Sequence, residues 1–216
     1  MAVDREKYMD ANEVKRLRTV TEAQAIVDLQ KGRIQGVVGW MLVDLALGTG
    51  LRVSEVSALT VEDVDLNRGA LKVTRLKRKR KRAETLAIGR ELVEHLKEYL
   101  AWRTGRLDDM EASRRGNLTG AKGALFVGQR GALTSRGLQQ IWTSAIRRAG
   151  LPEELSVHSA RHTLAVYLLK KTGNLRQVQK QLGHASPAVT ANMYADISFE
   201  DMQSGLNGLY ETEGTV

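Results

Sequence analysis

The stretch HSARHT, residues 158–163, sets two histidines and an arginine within five positions of a chain that has four histidines in all. His184 follows in LGHAS, and ten residues later Tyr194 stands in MYADI. Far upstream, Arg52 lies in GTGLRVSEVSAL, three residues before Glu55. Imidazoles exchange protons near neutral pH, guanidiniums grip oxyanions through paired hydrogen bonds, and a phenol is a usable oxygen nucleophile. Each residue alone also has a structural explanation, as a surface arginine, a hydrogen-bonded histidine or a packed ring. His158 and His162 are four apart and share a helix face, as zinc ligands do. Ser159, however, occupies the place of a zinc protease's glutamate, and Arg161 beside the pair repels a cation. No G-x-S-x-G elbow supports a serine hydrolase.

The elements that hold these residues are mostly helical. Asp10 and Glu13 in DANEV form a capping box that opens a helix with Val14 and Leu17 three apart. TEAQAIVDLQKG reads as a second helix ending near Gly32, and GVVGWMLVDLAL as a strongly apolar third that stops at Gly48 and Gly50. VSEVSAL continues as a short helix with Arg52 at its start. From Val61 the period becomes two, because VDLNRGALKVTRL and RAETLAI alternate around an Asn-Arg-Gly turn and a basic tip. RELVEHLKEYLAWR is helical, and the span from about Thr104 to Gly123 reads as a loop. ALFV suggests a brief strand, and TSRGLQQIWTSAIRRAG a helix ended by Gly150. From His158 to about Tyr210 the pattern is of successive helices divided by Gly173, Gly183 and the Ser-Pro at 186–187. The fold class expected is α+β, mainly α, with a small three-stranded antiparallel sheet.

The 216 residues suit one hydrophobic core, and the net charge of +8, with a pI near 9.8, favours a polyanionic partner. The absence of cysteine excludes a disulfide framework and a thiolate nucleophile. No apolar run has the length of a membrane span and the N-terminus lacks a signal-peptide core, so a soluble cytoplasmic protein is expected. RLKRKRKR, residues 75–82, holds seven basic residues out of eight; removing it takes the net charge from +8 to +1. Such runs are commonly solvated or targeting segments. At a hairpin tip, however, Arg75, Lys77, Arg78, Lys79, Arg80, Lys81 and Arg82 can track a phosphate backbone.

Together these stretches resemble the catalytic domain of the tyrosine recombinases, the phage-integrase and site-specific recombinase family, over nearly the whole chain. GTGLRVSEVSAL is similar to the first-arginine box, with Arg52 as its arginine and Glu55 as the supporting acid. HSARHT resembles the H-x-x-R-H box, with His158, the second arginine Arg161, and His162 as a buttress. LGHAS supplies His184, and Tyr194 stands where the family's nucleophile stands. The family's hairpin lysine is Lys77 counting forward from Leu71, whereas counting back from Ile88 allows Lys79. The basic tip is longer than the common GKG-x-KER form, and Ala160 stands where leucine commonly precedes the arginine. The resemblance implies double-stranded DNA as partner and strand transfer through a 3′-phosphotyrosyl ester, with neither metal nor cofactor. Arg52 and Arg161 would neutralise the phosphate, His158 would act as base or phosphate donor, His184 would bind the phosphate, and the lysine would protonate the leaving 5′-oxygen.

The resemblance further implies a single catalytic domain over residues 1–216, without the family's N-terminal core-binding domain, prokaryotic or phage-encoded, and acting at the nucleoid. It implies a monomer without DNA and a tetramer on it. The segment 198–216, with Phe199, Met202, Leu206 and Leu209 at helical spacing, would fold back or dock on a neighbouring protomer. The remaining tyrosines read as structural, Tyr167 as core, and His95 as surface. Two alternatives stand beside recombination: relaxation of DNA by a type IB topoisomerase-like enzyme, and a non-catalytic DNA-binding module on the same scaffold.

Overall fold

The helix most apolar in sequence is also the one at the centre. The computed structural model describes residues 8–77, 80–112 and 121–183, with backbone only at 76–77 and 80–82. Within it, helix α2 (Gln35–Thr49) buries residues on all sides and packs against α1 (Ala11–Gln30), α4 (Arg90–Ala112), α5 (Ser135–Arg148) and α6 (Val157–Thr172). Met41, Leu42 and Leu45 are wholly excluded from solvent. Short helices α3 (Val53–Ser57) and α7 (Leu175–Leu182) complete the helical set.

The N-terminal capping box forms as read: the Asp10 carboxylate accepts from the Glu13 N–H at 2.8 Å, and Glu13 accepts from the Asp10 N–H at 2.8 Å. The two helices expected after it are one. No glycine or proline interrupts residues 11–30, and the hydroxyl of Thr21, the first residue of the expected second helix, donates back to Leu17 O at 2.9 Å inside the helix. Helix α1 then turns tightly into α2, because the buried Asp28 carboxylate accepts from the Gly36 N–H at 2.8 Å. A Cβ on Gly36 would meet Gln24 O at 2.7 Å, so glycine permits this close approach.

The sheet has three antiparallel strands in the order β1 (Val64–Asp65), β2 (Ala70–Lys77), β3 (Arg80–Ala87). Val64 pairs with Leu71, Val73 with Glu84, Arg75 with Arg82, and Lys77 with Arg80. Leu71, Val73 and Arg75 lie on the buried face of β2 and Lys72 and Thr74 on the exposed one, as a period of two requires.

Four expectations need correction downstream of the sheet. Helix α4 runs on to Ala112, through the start of the expected loop. Gly105 costs about 1 kcal/mol there, but Met110 is fully buried in a small cluster with Ala121 and Val127. The ALFV segment forms only the isolated bridges Thr60↔Ala124 and Val127↔Ala132. It is held by Arg103, whose guanidinium donates to Ala121 O, Lys122 O and Ala124 O at 2.7, 2.9 and 2.8 Å. His95, expected at the surface, is hydrogen-bonded through Nδ1 to the buried Asp44 carboxylate on α2 at 2.5 Å and lies against Trp40. Tyr167, expected in the core, is 61 % exposed. Among the described residues no helix is long and apolar enough to cross a membrane.

Candidate active site

Arg52 caps the start of α3, and Glu55 three residues on turns back to it. The Glu55 carboxylate accepts from the Arg52 N–H at 2.8 Å and from the Arg52 Nη1 at 3.1 Å. Glu55 is buried while the Arg52 side chain is about half exposed (48 %), so the guanidinium is anchored at one edge and open at the other. The link between α2 and α3 that delivers Arg52 turns at Gly50, with φ +64°. A Cβ there would sit 2.6 Å from Leu182 Cδ2, so both backbone and space demand glycine.

Arg161 approaches from α6 and is 2 % exposed. Its fork donates to Gly50 O at 2.7 Å and to Leu182 O at 2.6 Å, joining the end of α2 to the end of α7. Burial first, then the charge of Arg52, pushes its pKa down to about 10, with Glu55 opposing and Arg75 adding to the fall. It remains a cation at neutral pH. His158, in the first turn of α6, meets His162 edge-on with ring centroids 4.5 Å apart. Ser156 caps that helix by accepting from the His158 N–H at 3.2 Å.

Arg75 was expected to contact DNA with the rest of the basic run. It turns inward instead, 2 % exposed, because its place in β2 is on the face of Leu71 and Val73. Its Nη2 donates to Gln181 O at 3.0 Å, and its Nε lies 3.5 Å from the Glu84 carboxylate and 4.0 Å from that of Glu55. The last carbonyls of a helix lack intrahelical donors and carry the negative end of its dipole. Here two guanidiniums, Arg75 and Arg161, satisfy those of Gln181 and Leu182. Strand alternation was the signal in the sequence for Arg75; nothing local announced that Gln181 and Gly183 would receive it.

Three guanidiniums, those of Arg52, Arg75 and Arg161, thus share two carboxylates, Glu55 and Glu84, and influence one another's protonation. The cluster carries positive charge in excess, with its opening at Arg52 and His158. It suits an oxyanion that accepts paired hydrogen bonds. The sequence-predicted residues Arg52, Glu55, His158, Arg161 and His162 are brought together at one end of α3, α6 and α7. Lys77 is the last residue of β2, two positions beyond Arg75, with only its backbone described. Arg78, Lys79, His184, Tyr194 and the segment 198–216 lie outside the described residues, as do the side chains of Arg80, Lys81 and Arg82.

A family model described as the phage integrase family matches residues 7–201. The chain belongs to that family. Among curated relatives, it is 34% identical over 167 residues to tyrosine recombinase XerC of Bacillus subtilis, a match covering 76% of this chain and 50% of the relative. It is 31% identical over 163 residues to tyrosine recombinase XerC of Pelotomaculum thermopropionicum, covering 75% and 50%. The chain therefore spans about half the length of the curated relatives it matches. Among solved structures, XerA recombinase superposes with a TM-score of 0.71 at 23% identity, covering 95% of this chain and 65% of that one. The XerH site-specific recombinase bound to palindromic difH substrate, in a post-cleavage complex, superposes with a TM-score of 0.66 at 22% identity, covering 93% and 52%. The mainly helical fold with a small three-stranded sheet is that of the integrase family.

The charge excess of this integrase-family cluster has a pH consequence at His158. Burial, then Arg161 and Arg52, holds its pKa below the ordinary 6.5. A lowered folded-state value means that the folded protein binds this proton less readily than the unfolded chain. Its contribution to stability is therefore present above pH 6.5 and lost as pH falls through the lowered value. Ring-proton NMR of the isolated protein is expected to give a midpoint under 6.5, and inorganic phosphate to raise it, since an anion between the guanidiniums favours the imidazolium. A midpoint unmoved by phosphate would place the anion elsewhere.

Proposed function

We propose that this chain is the catalytic domain of a site-specific DNA recombinase that cuts and rejoins strands without metal or cofactor. The observation that carries the proposal is the guanidinium cluster: Arg52 open beside His158, and Arg161 locked behind it with charge to spare. In the reaction, the Tyr194 phenolic oxygen attacks the phosphorus, and a phosphotyrosyl bond forms as the P–O5′ bond breaks. Arg52 and Arg161 stabilise the charge on the nonbridging oxygens, with His184 as a further donor. His158 accepts the phenol's proton or donates to the phosphate, with His162 as its buttress. Lys77 gives a proton to the departing 5′-oxygen. It is the last residue of β2, two positions beyond Arg75. Lys79 is the alternative when the count runs back from Ile88. Because the tyrosyl ester retains the bond energy, a 5′-hydroxyl from another strand reverses the attack, and exchange needs no nucleotide cofactor.

The partner is double-stranded DNA, met in the cytoplasm. The protein is a monomer alone and a tetramer on DNA, with segment 198–216 docking on a neighbouring protomer in the assembly. The names of the curated relatives favour recombination over topoisomerase-type relaxation, and the complete set of six catalytic candidates disfavours a non-catalytic module. Incubation with a duplex library, followed by recovery of DNA covalently bound to protein, tests the reading; a protein that binds DNA but yields no adduct contradicts it.

The basic tip supplies much of the affinity in this proposal. With Arg75 turned inward, six basic residues of the run remain to face phosphate, and about five contacts give a slope of roughly −4 to −5 in log affinity against log salt. Replacing Arg78, Lys79, Arg80 and Lys81 by glutamine is expected to flatten that slope by about 3 to 4. A slope unchanged in fluorescence-anisotropy titrations would mean that the hairpin points away from DNA.

A further inference from the structure

Arg75 is the one member of the basic run that the proposed reaction leaves without a role, and it is among the largest fully buried side chains described. It sits where β2 meets the end of α7. On that helix it touches Gln181 O at 3.0 Å, and an ideal Cβ on Gly183 would fall 1.4 Å from its Nη1 and 2.4 Å from its Cζ. The guanidinium therefore occupies the space that a side chain at position 183 would need, and Gly183 leaves the helix at φ +64°. Among the described residues, Arg75 Nε and Nη1 have no hydrogen-bond partner. Glu84 and Glu55 balance its charge at 3.5 and 4.0 Å, but burying a guanidinium with donors left unbonded remains costly. A second tie runs the other way, from Gln181 Nε2 to Ala87 O on β3 at 3.0 Å.

Helix α7 has only eight residues and buries only Val178 and Leu182, so its own packing constrains the direction of its end weakly. The ties from the sheet add to the Arg161 bond to Leu182 O in supplying that constraint. We propose that Arg75 is a positioning residue: its guanidinium fixes the C-terminal end of α7 against the hairpin and thereby sets where His184, the residue after Gly183, meets the phosphate. The proposal rests on the functional reading above. It also joins two parts of the reaction, because the strand that carries Arg75 carries Lys77 two residues later. Movement of the hairpin on DNA would be transmitted to the end of α7 through the Arg75 and Gln181 side chains.

The test is a cycle of variants in single-turnover cleavage, using the full chain and a nicked duplex of the sequence recovered by adduct capture. Arg75→Met keeps much of the length but removes every donor. It is expected to slow adduct formation about a hundredfold, the size of effect that about 1 Å of misplacement produces, with affinity for the duplex changed less than twofold. In a His184→Ala background the same replacement should cost less than threefold, because there is no longer a histidine to misplace. Arg75→Lys, which keeps the charge and one donor, should recover part of the lost rate. If Arg75→Met proves unfolded by circular dichroism, Gly183→Ala, which displaces the guanidinium from the other side, takes its place in the cycle with the same expectations. Cleavage within threefold of wild type, or a loss that multiplies undiminished in the His184→Ala background, overturns the positioning role alone. A wild-type chain that forms no adduct overturns the functional reading and this one with it.

Discussion

Replacing Arg161 with lysine is expected to lower the rate of adduct formation on the order of 10³-fold while leaving DNA affinity nearly unchanged. The guanidinium is 2 % exposed and spends two donors on Gly50 O and Leu182 O, 2.7 and 2.6 Å away. A planar fork can hold both carbonyls and still present N–H groups to a phosphate. A lysine ammonium, a single point charge, cannot reproduce a fork that reaches each carbonyl from a different nitrogen and still presents donors to a phosphate oxygen. One buried carbonyl would lose its donor, at about 1–3 kcal/mol, and the links from α2 and α7 to α6 would loosen. Ground-state affinity should survive because, under the proposed function, it comes chiefly from phosphate contacts of the hairpin, which this change does not touch. Rapid-quench measurement of adduct alongside anisotropy titration separates the two effects. A lysine variant that cleaves within tenfold of wild type would show that charge alone suffices at this position.

The same residue illustrates how far the sequence could be read. That Arg161 belongs with Arg52 and His158 was legible from HSARHT and its resemblance, as were Arg52 with Glu55, the capping box at Asp10 and the two-residue period of the hairpin. Local patterns and family motifs are short-range information. What escaped was set by tertiary contact. Helix α1 runs through Thr21 because that hydroxyl is satisfied within the helix, and α4 continues past Gly105 because Met110 finds a burial site in residues 121–127. His95 reads as exposed until Asp44 is placed beside it from another helix. Arg75 read as one charge among seven, although its parity with Leu71 and Val73 already pointed it inward. Tyr167 shows the converse, since an apolar-looking segment, LAVYLLKK, belongs to a helix with only one face against the core, and Tyr167 lies on the other.

Tyr194→Phe is expected to abolish the covalent adduct altogether, below about 10⁻⁴ of the wild-type rate, with binding to the duplex intact. Phenylalanine keeps the ring and removes only the oxygen that would form the ester, so packing around it should be little disturbed. The described structure narrows the alternatives. Tyr99 is fully buried, its hydroxyl donates to Leu125 O at 3.3 Å, and burial drives its pKa upward, so its oxygen is neither accessible nor easily ionised. Tyr167 is accessible, but it follows Arg161 by six residues on α6. At about 100° per residue it projects roughly 120° away around the helix from the buried guanidinium, and some 9 Å along the axis. It cannot share a phosphate with Arg161 without unwinding the helix that carries both. Tyr194 has no such obstacle in its placement along the chain: it follows by ten residues the histidine adjoining Gly183, where Arg75 and Arg161 hold the end of α7. Proteolysis of the trapped wild-type adduct and mass spectrometry of the nucleotide-bearing peptide would identify the linkage directly. A linked peptide containing Tyr167 or Tyr210, or an adduct that survives Tyr194→Phe, would move the nucleophile and with it the direction from which the phosphorus is attacked.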